Sequence, residues 1–107
     1  MKHLIPHDID QSLARSATRC ALQSYQDQFP QFSPGGCWRD EDTADVWFQT
    51  PLGRIEGTIT VKRRGVQLHL TKVPFAARMF RKQAIQIVEG EVKQWIEKAR
   101  SGLLPST

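Results

Sequence analysis

In the stretch GRIEGTITVKRR, Ile55, Gly57, Ile59 and Val61 alternate with Arg54, Glu56, Thr58, Thr60 and Lys62. A period of two marks a strand with one dry face and one wet face. GVQLHLTKV repeats the pattern, setting Val66, Leu68 and Leu70 against Gln67, His69 and Thr71. Arg63-Arg64-Gly65 between them reads as a tight hairpin turn, and Pro51-Leu52-Gly53 as the one before it. ADVWFQT carries a further strand signal, preceded by a short strand in GCWRD and a charged turn in DEDTAD. The pattern predicts an antiparallel meander of three or four strands.

Helical spacing flanks this meander. Asp8 or Asp10 is placed to cap a helix reaching about Gln28, with Leu13, Ala14, Ala17, Ala21 and Tyr25 on one face. FPQFSPGG, residues 29–36, holds two prolines and two glycines and breaks the chain. From Ala84 onward Ile85, Val88, Val92, Trp95, Ile96 and Ala99 form a stripe suited to packing on a sheet, Glu89 and Lys93 pair on the solvent side, and Gly102 marks the stop. A meander with one apolar face must be covered, and both helices are available. The expected fold is a single α+β domain over residues 1–107. It is a two-layer sandwich whose three- to four-stranded antiparallel sheet is covered on one face by an N-terminal and a long C-terminal helix. The N-terminus about 1–7 is expected to be loose, and the tail about 102–107 frayed.

The junction VPFAARMFRKQA, residues 73–84, does not fit this scheme. Carried back at 100° per residue, the stripe of the last helix places Arg81 near its centre and Arg78 near its edge, while Met79 and Phe80 point elsewhere. An unpaired guanidinium is not buried. Either these turns project beyond the sheet, or the helix begins later than Pro74 suggests. If they project, Phe75, Arg78, Met79, Phe80, Arg81 and Lys82 form a surface and anion-binding patch near a helix N-terminus; the alternative is that the aromatics pack on the first helix or the 29–36 loop while the arginines stay in water.

Charge distribution sharpens that reading. The net charge is +4, yet from Gly57 to Val88 there is no Asp or Glu while Lys62, Arg63, Arg64, Lys72, Arg78, Arg81 and Lys82 all fall there. Asp40, Glu41, Asp42 and Asp45 crowd into an earlier stretch that lacks the calcium-loop spacing and reads as a solvated turn. The asymmetry is that of a chain with an anionic partner, or of a solvated basic face. No apolar run approaches the roughly 18 residues that cross a bilayer, and MKHLIPHDID has no secretory apolar core, so a cytoplasmic location is expected.

Chemistry is sparse. There is no phosphate-binding Gly-rich loop, nucleophile elbow or zinc-protease motif, so no catalytic residue, cofactor or metal is expected. His3 and His7 stand beside Pro6, which argues against a helical metal pair, and Cys20 and Cys37 read as reduced thiols. Trp38, Trp47 and Trp95 read as core or rim packing, with Trp47 out of phase with Val46 and Phe48. Arg54, Lys62 and His69 are candidate contacts on the wet sheet face, although Glu56 in their midst and the lack of aromatic-rich strands argue against nucleic acid.

The linear order now suggests a family. A helix near the N-terminus, Trp38, the glycine-centred strand I-E-G-T-I-T-V, a last strand closing in V-P-F (Val73, Pro74, Phe75) and a long terminal helix with a basic start resemble the small polyhydroxyalkanoic acid system proteins of bacteria. The resemblance covers roughly residues 4–100; the loop 29–36 and the tail after Arg100 are longer than the family pattern implies, and residues 40–45 more acidic. It implies a non-enzymatic cytoplasmic accessory protein of polyhydroxyalkanoate metabolism, at the storage-granule surface or on its granule proteins, and it brings no catalytic residues. Two alternatives stand beside it: a protein-interaction module pairing two copies or an acidic partner through the wet face or an edge strand, and a binder of small acyl or CoA-like ligands between helices and sheet.

Overall fold

The computed structural model describes residues 2–102. Its elements are β1 (Lys2–Pro6), α1 (Gln11–Gln28), β2 (Gly35–Trp38), β3 (Thr43–Thr50), β4 (Gly53–Val61), β5 (Gly65–Lys72) and α2 (Arg81–Arg100), with 3-10 turns at Pro30–Phe32 and Phe75–Phe80. The strands form one antiparallel sheet in the order β1-β5-β4-β3-β2. The α+β class and the covering helices are as the hydrophobic pattern predicts, with five strands in place of three or four.

The extra strand is the segment expected to be a loose N-terminus. β1 pairs along β5 from Lys2 opposite His69 to Pro6 opposite Gly65, and Ile5 is buried beneath the helices. Its place is secured by polar contacts that no local pattern announces: His3 pairs with Glu89 of α2, and the His7 ring bonds the Lys62 carbonyl at 2.8 Å. Of the frayed tail, residues 103–107 lie outside the described residues.

Alternation delivers the core. Ala44, Val46 and Phe48 of β3, Ile55, Ile59 and Val61 of β4, and Val66 and Leu68 of β5 are buried beneath α1 and α2. The helices meet them with small residues, Ala14, Ala17 and Ala21 on α1 and Ala84 and Ala99 on α2, so they sit close to the sheet and to each other. Val88, Val92 and Ile96 complete the apolar stripe of α2, while Ile85 and Trp95 lie half-buried on its flanks. At Gly57 a Cβ would stand 2.8 Å from the His69 carbonyl oxygen, beside a register shift between β4 and β5. The glycine therefore accommodates a bend in the sheet.

The acidic run is consumed by turn and tie contacts. Asp40 accepts the backbone N–H groups of Asp42 and Thr43 at 2.8 Å each, Asp42 joins Arg15 of α1 at 2.5 Å, and Asp45 pairs with Arg39. Hydrogen bonds from these arginines hold the Asp42 and Asp45 carboxyls below their ordinary 3.8, against the opposing effect of desolvation. The Asp8 carboxyl is lowered by Arg100, and that of Glu89 by Lys93 and then His3. Groups whose folded pKa is depressed contribute stability that is present above their unfolded values and lost as pH falls through the folded ones. The melting temperature is therefore expected to hold from pH 7 to about 5 and to fall below about pH 4. Asp42→Asn should make that fall shallower in a pH series of thermal melts, and an identical slope in both proteins would count against the Arg15 tie.

Candidate surface-docking site

Among the described residues, the end of the molecule where β4 begins and β5 stops carries three of the four large exposed apolar side chains. Thr50, itself buried, donates its hydroxyl to the Gly53 carbonyl at 2.7 Å and accepts the Leu52 N–H at 3.1 Å, which shapes the β3–β4 turn. Gly53 has a φ of 134°, and a Cβ there would stand 2.8 Å from Pro74 Cγ. Only glycine accepts both that dihedral and that approach. Leu52 and Phe75, the neighbours of Gly53 and Pro74, are thereby brought to the same end.

Past Pro74 the chain takes 3-10 turns, opened by an Ala77 N–H to Pro74 carbonyl bond of 2.9 Å, and α2 starts only at Arg81. This settles the phase conflict in the sequence, because a 3-10 turn has three residues and not 3.6. Positions three apart fall in line: the Arg78 guanidinium sits 5.2 Å over the Phe75 ring, a cation–π distance, and Ala77 and Phe80 turn inward. Phe75 is 82% exposed, Met79 73% and Leu52 45%; among the described residues the other large exposed apolar side chain, Leu4, lies on β1.

Of the six residues expected to form the patch, Phe75, Arg78, Met79 and Lys82 are exposed together. Phe80 is a correction: it is half-buried and packs on the core, because the tighter turn swings it beneath the segment. Arg81 is half-buried at the first position of α2. Among the described residues Arg78, Arg81 and Lys82 take part in no ion pair, whereas the nearby Arg54 and Lys72 share Glu56 at 3.9 and 3.6 Å. Leu52 was missed by sequence reasoning. An apolar residue at the tip of a tight turn was the available signal.

The three wet-face candidates do not converge. Arg54 lies beside the patch and stacks 4.9 Å over the Trp47 ring, which faces the uncovered side of the sheet. His69 sits mid-sheet opposite Thr58. Lys62 is at the β4–β5 hairpin, eight residues from Arg54, which at about 3.3 Å each puts it at the far end of the strand.

Other sites are less developed. Between sheet and helices, a cavity lined by Tyr25, Phe48, Leu68, Leu70, Ala84 and Val88 has a volume of ≈ 20 Å³, room for one water and not for an acyl chain. Among the described residues no group of three His, Cys, Asp or Glu side chains gathers as a metal site, and no helix is long and apolar enough to cross a membrane. Glu91 Oε2 and Trp95 Nε1, one turn apart on α2, are buried without a hydrogen-bond partner among the described residues, and Lys98 lies 4.2 Å from the Trp95 ring. No protein-family model, curated protein or solved structure matches this chain.

Proposed function

We propose that this protein is a non-enzymatic accessory protein that docks on an anionic, amphiphilic surface through its Phe75–Met79 end. The coat of a polyhydroxyalkanoate storage granule, lipid and granule proteins together, is the surface proposed. One observation carries the reading: Phe75 and Met79 are 82% and 73% exposed, beside Arg78, Arg81 and Lys82, which have no carboxylate partner among the described residues. Side chains of this kind in water contribute nothing to folding. Transferred into an apolar phase each contributes about 1.5–3 kcal/mol.

Arg78, Arg81 and Lys82 add roughly 1 kcal/mol each near an anionic surface. Set against the lost freedom of a bound protein, such a sum supports reversible docking and not permanent insertion. The choice of granule rests on the resemblance carried by I-E-G-T-I-T-V, V-P-F and the basic start of the last helix. The filled space between the layers favours a surface role over an enclosed acyl ligand.

Co-sedimentation with polyhydroxybutyrate particles and with anionic and neutral vesicles, over a salt series, tests the reading. Binding to the particles that persists at about 1 M salt, where charge attraction is screened within about 3 Å, is the expected result. Binding to anionic vesicles alone, lost as salt rises, would leave a basic face without an apolar anchor. Absence of binding to all three would overturn the proposal.

A further inference from the structure

The two edges of the sheet are built differently. β1 carries Lys2 and Pro6, both devices that discourage pairing with another chain. β2 reads Gly-Gly-Cys-Trp, with neither charge nor proline, and Cys37 is exposed on it. An open edge of this composition is a template for another strand.

Hydrogen-bond parity decides what that strand meets. The Arg39 N–H donates to the Thr43 carbonyl at 2.8 Å, so in an antiparallel ladder Arg39, Cys37 and Gly35 direct their backbone groups toward β3. Gly36 and Trp38 direct theirs outward. No partner occupies those groups among the described residues, apart from a 3.9 Å approach of Cys37 Sγ to the Trp38 carbonyl.

We infer that two copies of this chain pair through β2, antiparallel about a two-fold axis, with Gly36 opposite the partner's Trp38 and Cys37 facing the partner's Cys37. This register uses every outward group of both strands. A register centred on Gly36 would bring Trp38 opposite Pro34, which has no N–H to give, and one centred on Trp38 would reach Asp40, whose N–H is already bonded to Thr43.

Three further features fit a second copy of this chain. Within the chain, β2's first glycine already lies under a tryptophan: Gly35 is opposite Trp47, and a Cβ at Gly35 would overlap that indole. The inferred register repeats the arrangement across the axis, placing the partner's Trp38 over Gly36, the pairing that shields a glycine in an edge strand. Charge is also compatible, because Arg39 falls opposite Gly35 and no two like charges face each other. Finally, α1 reaches this edge through side chains, with Arg19 4.5 Å over the Trp38 ring and Gln26 beside Gly36, so Trp38 is held on the helix-covered face on which Gly36 also lies.

This inference is independent of the docking role. It is tested on the full chain by sedimentation over a concentration series, with a short bismaleimide applied to the Cys20→Ser variant so that Cys37 alone reacts. Facing residues of the non-bonded type lie about 4.5 Å apart at Cα, so cross-linking of a dimer through Cys37 is expected. Cys37→Lys places two ammonium groups across the axis while standing opposite Asp45 of its own sheet. It should raise the dimer Kd about tenfold or more, with the melting temperature unchanged at concentrations where both proteins are monomeric. A chain that stays monomeric to about 1 mM, a dimer indifferent to Cys37→Lys, or a dimer that does not cross-link through Cys37 would overturn the inference.

Discussion

Replacing Phe75 and Met79 together by serine is expected to weaken association with polyhydroxybutyrate particles about a hundredfold or more while leaving the fold intact. The two side chains are 82% and 73% exposed, so little apolar contact is lost within the protein. Surface changes of this sort usually lie within about 0.5 kcal/mol, a shift of a few degrees at most in a domain of this size. On the particle the same change removes roughly 3 kcal/mol or more of apolar transfer. Each factor of ten corresponds to about 1.4 kcal/mol. Co-sedimentation at high salt, with a thermal melt of the same sample, separates the two effects. Retained binding by a folded double variant would remove Phe75 and Met79 from the docking role.

The opposite outcome is expected at the centre of the sheet. Ile59→Ala should lower the unfolding free energy by about 2–5 kcal/mol, because Ile59 is fully buried on the dry face of β4 between β3 and β5. Its neighbours across the strands, Ala44 and Leu68, are themselves buried and have little freedom to close a void. For a domain whose whole stability is about 5–15 kcal/mol this is a large fraction. Urea denaturation measures it directly. A midpoint unchanged by the substitution would contradict the packing described above.

These two variants separate what each apolar residue contributes. Ile59 acts through burial inside the chain, whereas Phe75 and Met79 are exposed and in the proposed role act only when something outside the chain covers them. In composition the two kinds of position are alike, and only exposure distinguishes them.

Much of this architecture was legible beforehand. Strict alternation in residues 54–62 and 66–71 foretold β4 and β5 and their dry faces, since a strand puts neighbouring side chains on opposite sides. The stripe of α2 and the small face of α1 were readable for the same kind of reason. β1 was not, because KHLIP holds a single buried side chain, Ile5, and includes a proline; its strand conformation comes from the far edge of β5 and from α2. The phase of residues 75–80 was read with a helical period, whereas the chain turns more tightly there, which moves Phe80 inward and leaves Phe75 and Met79 out.

The sequence by itself determined the class of the fold, the dry faces of its central strands and the concentration of positive charge after Gly57. Those follow from local periodicity and composition, which each segment carries wherever it lies. Tertiary structure alone decided that Leu52 joins Phe75 at one end, that Lys62 stands far from Arg54, and that β2 forms an uncharged open edge. Those depend on which segments become neighbours, and neighbours are set by the burial of the whole core and not by any one stretch.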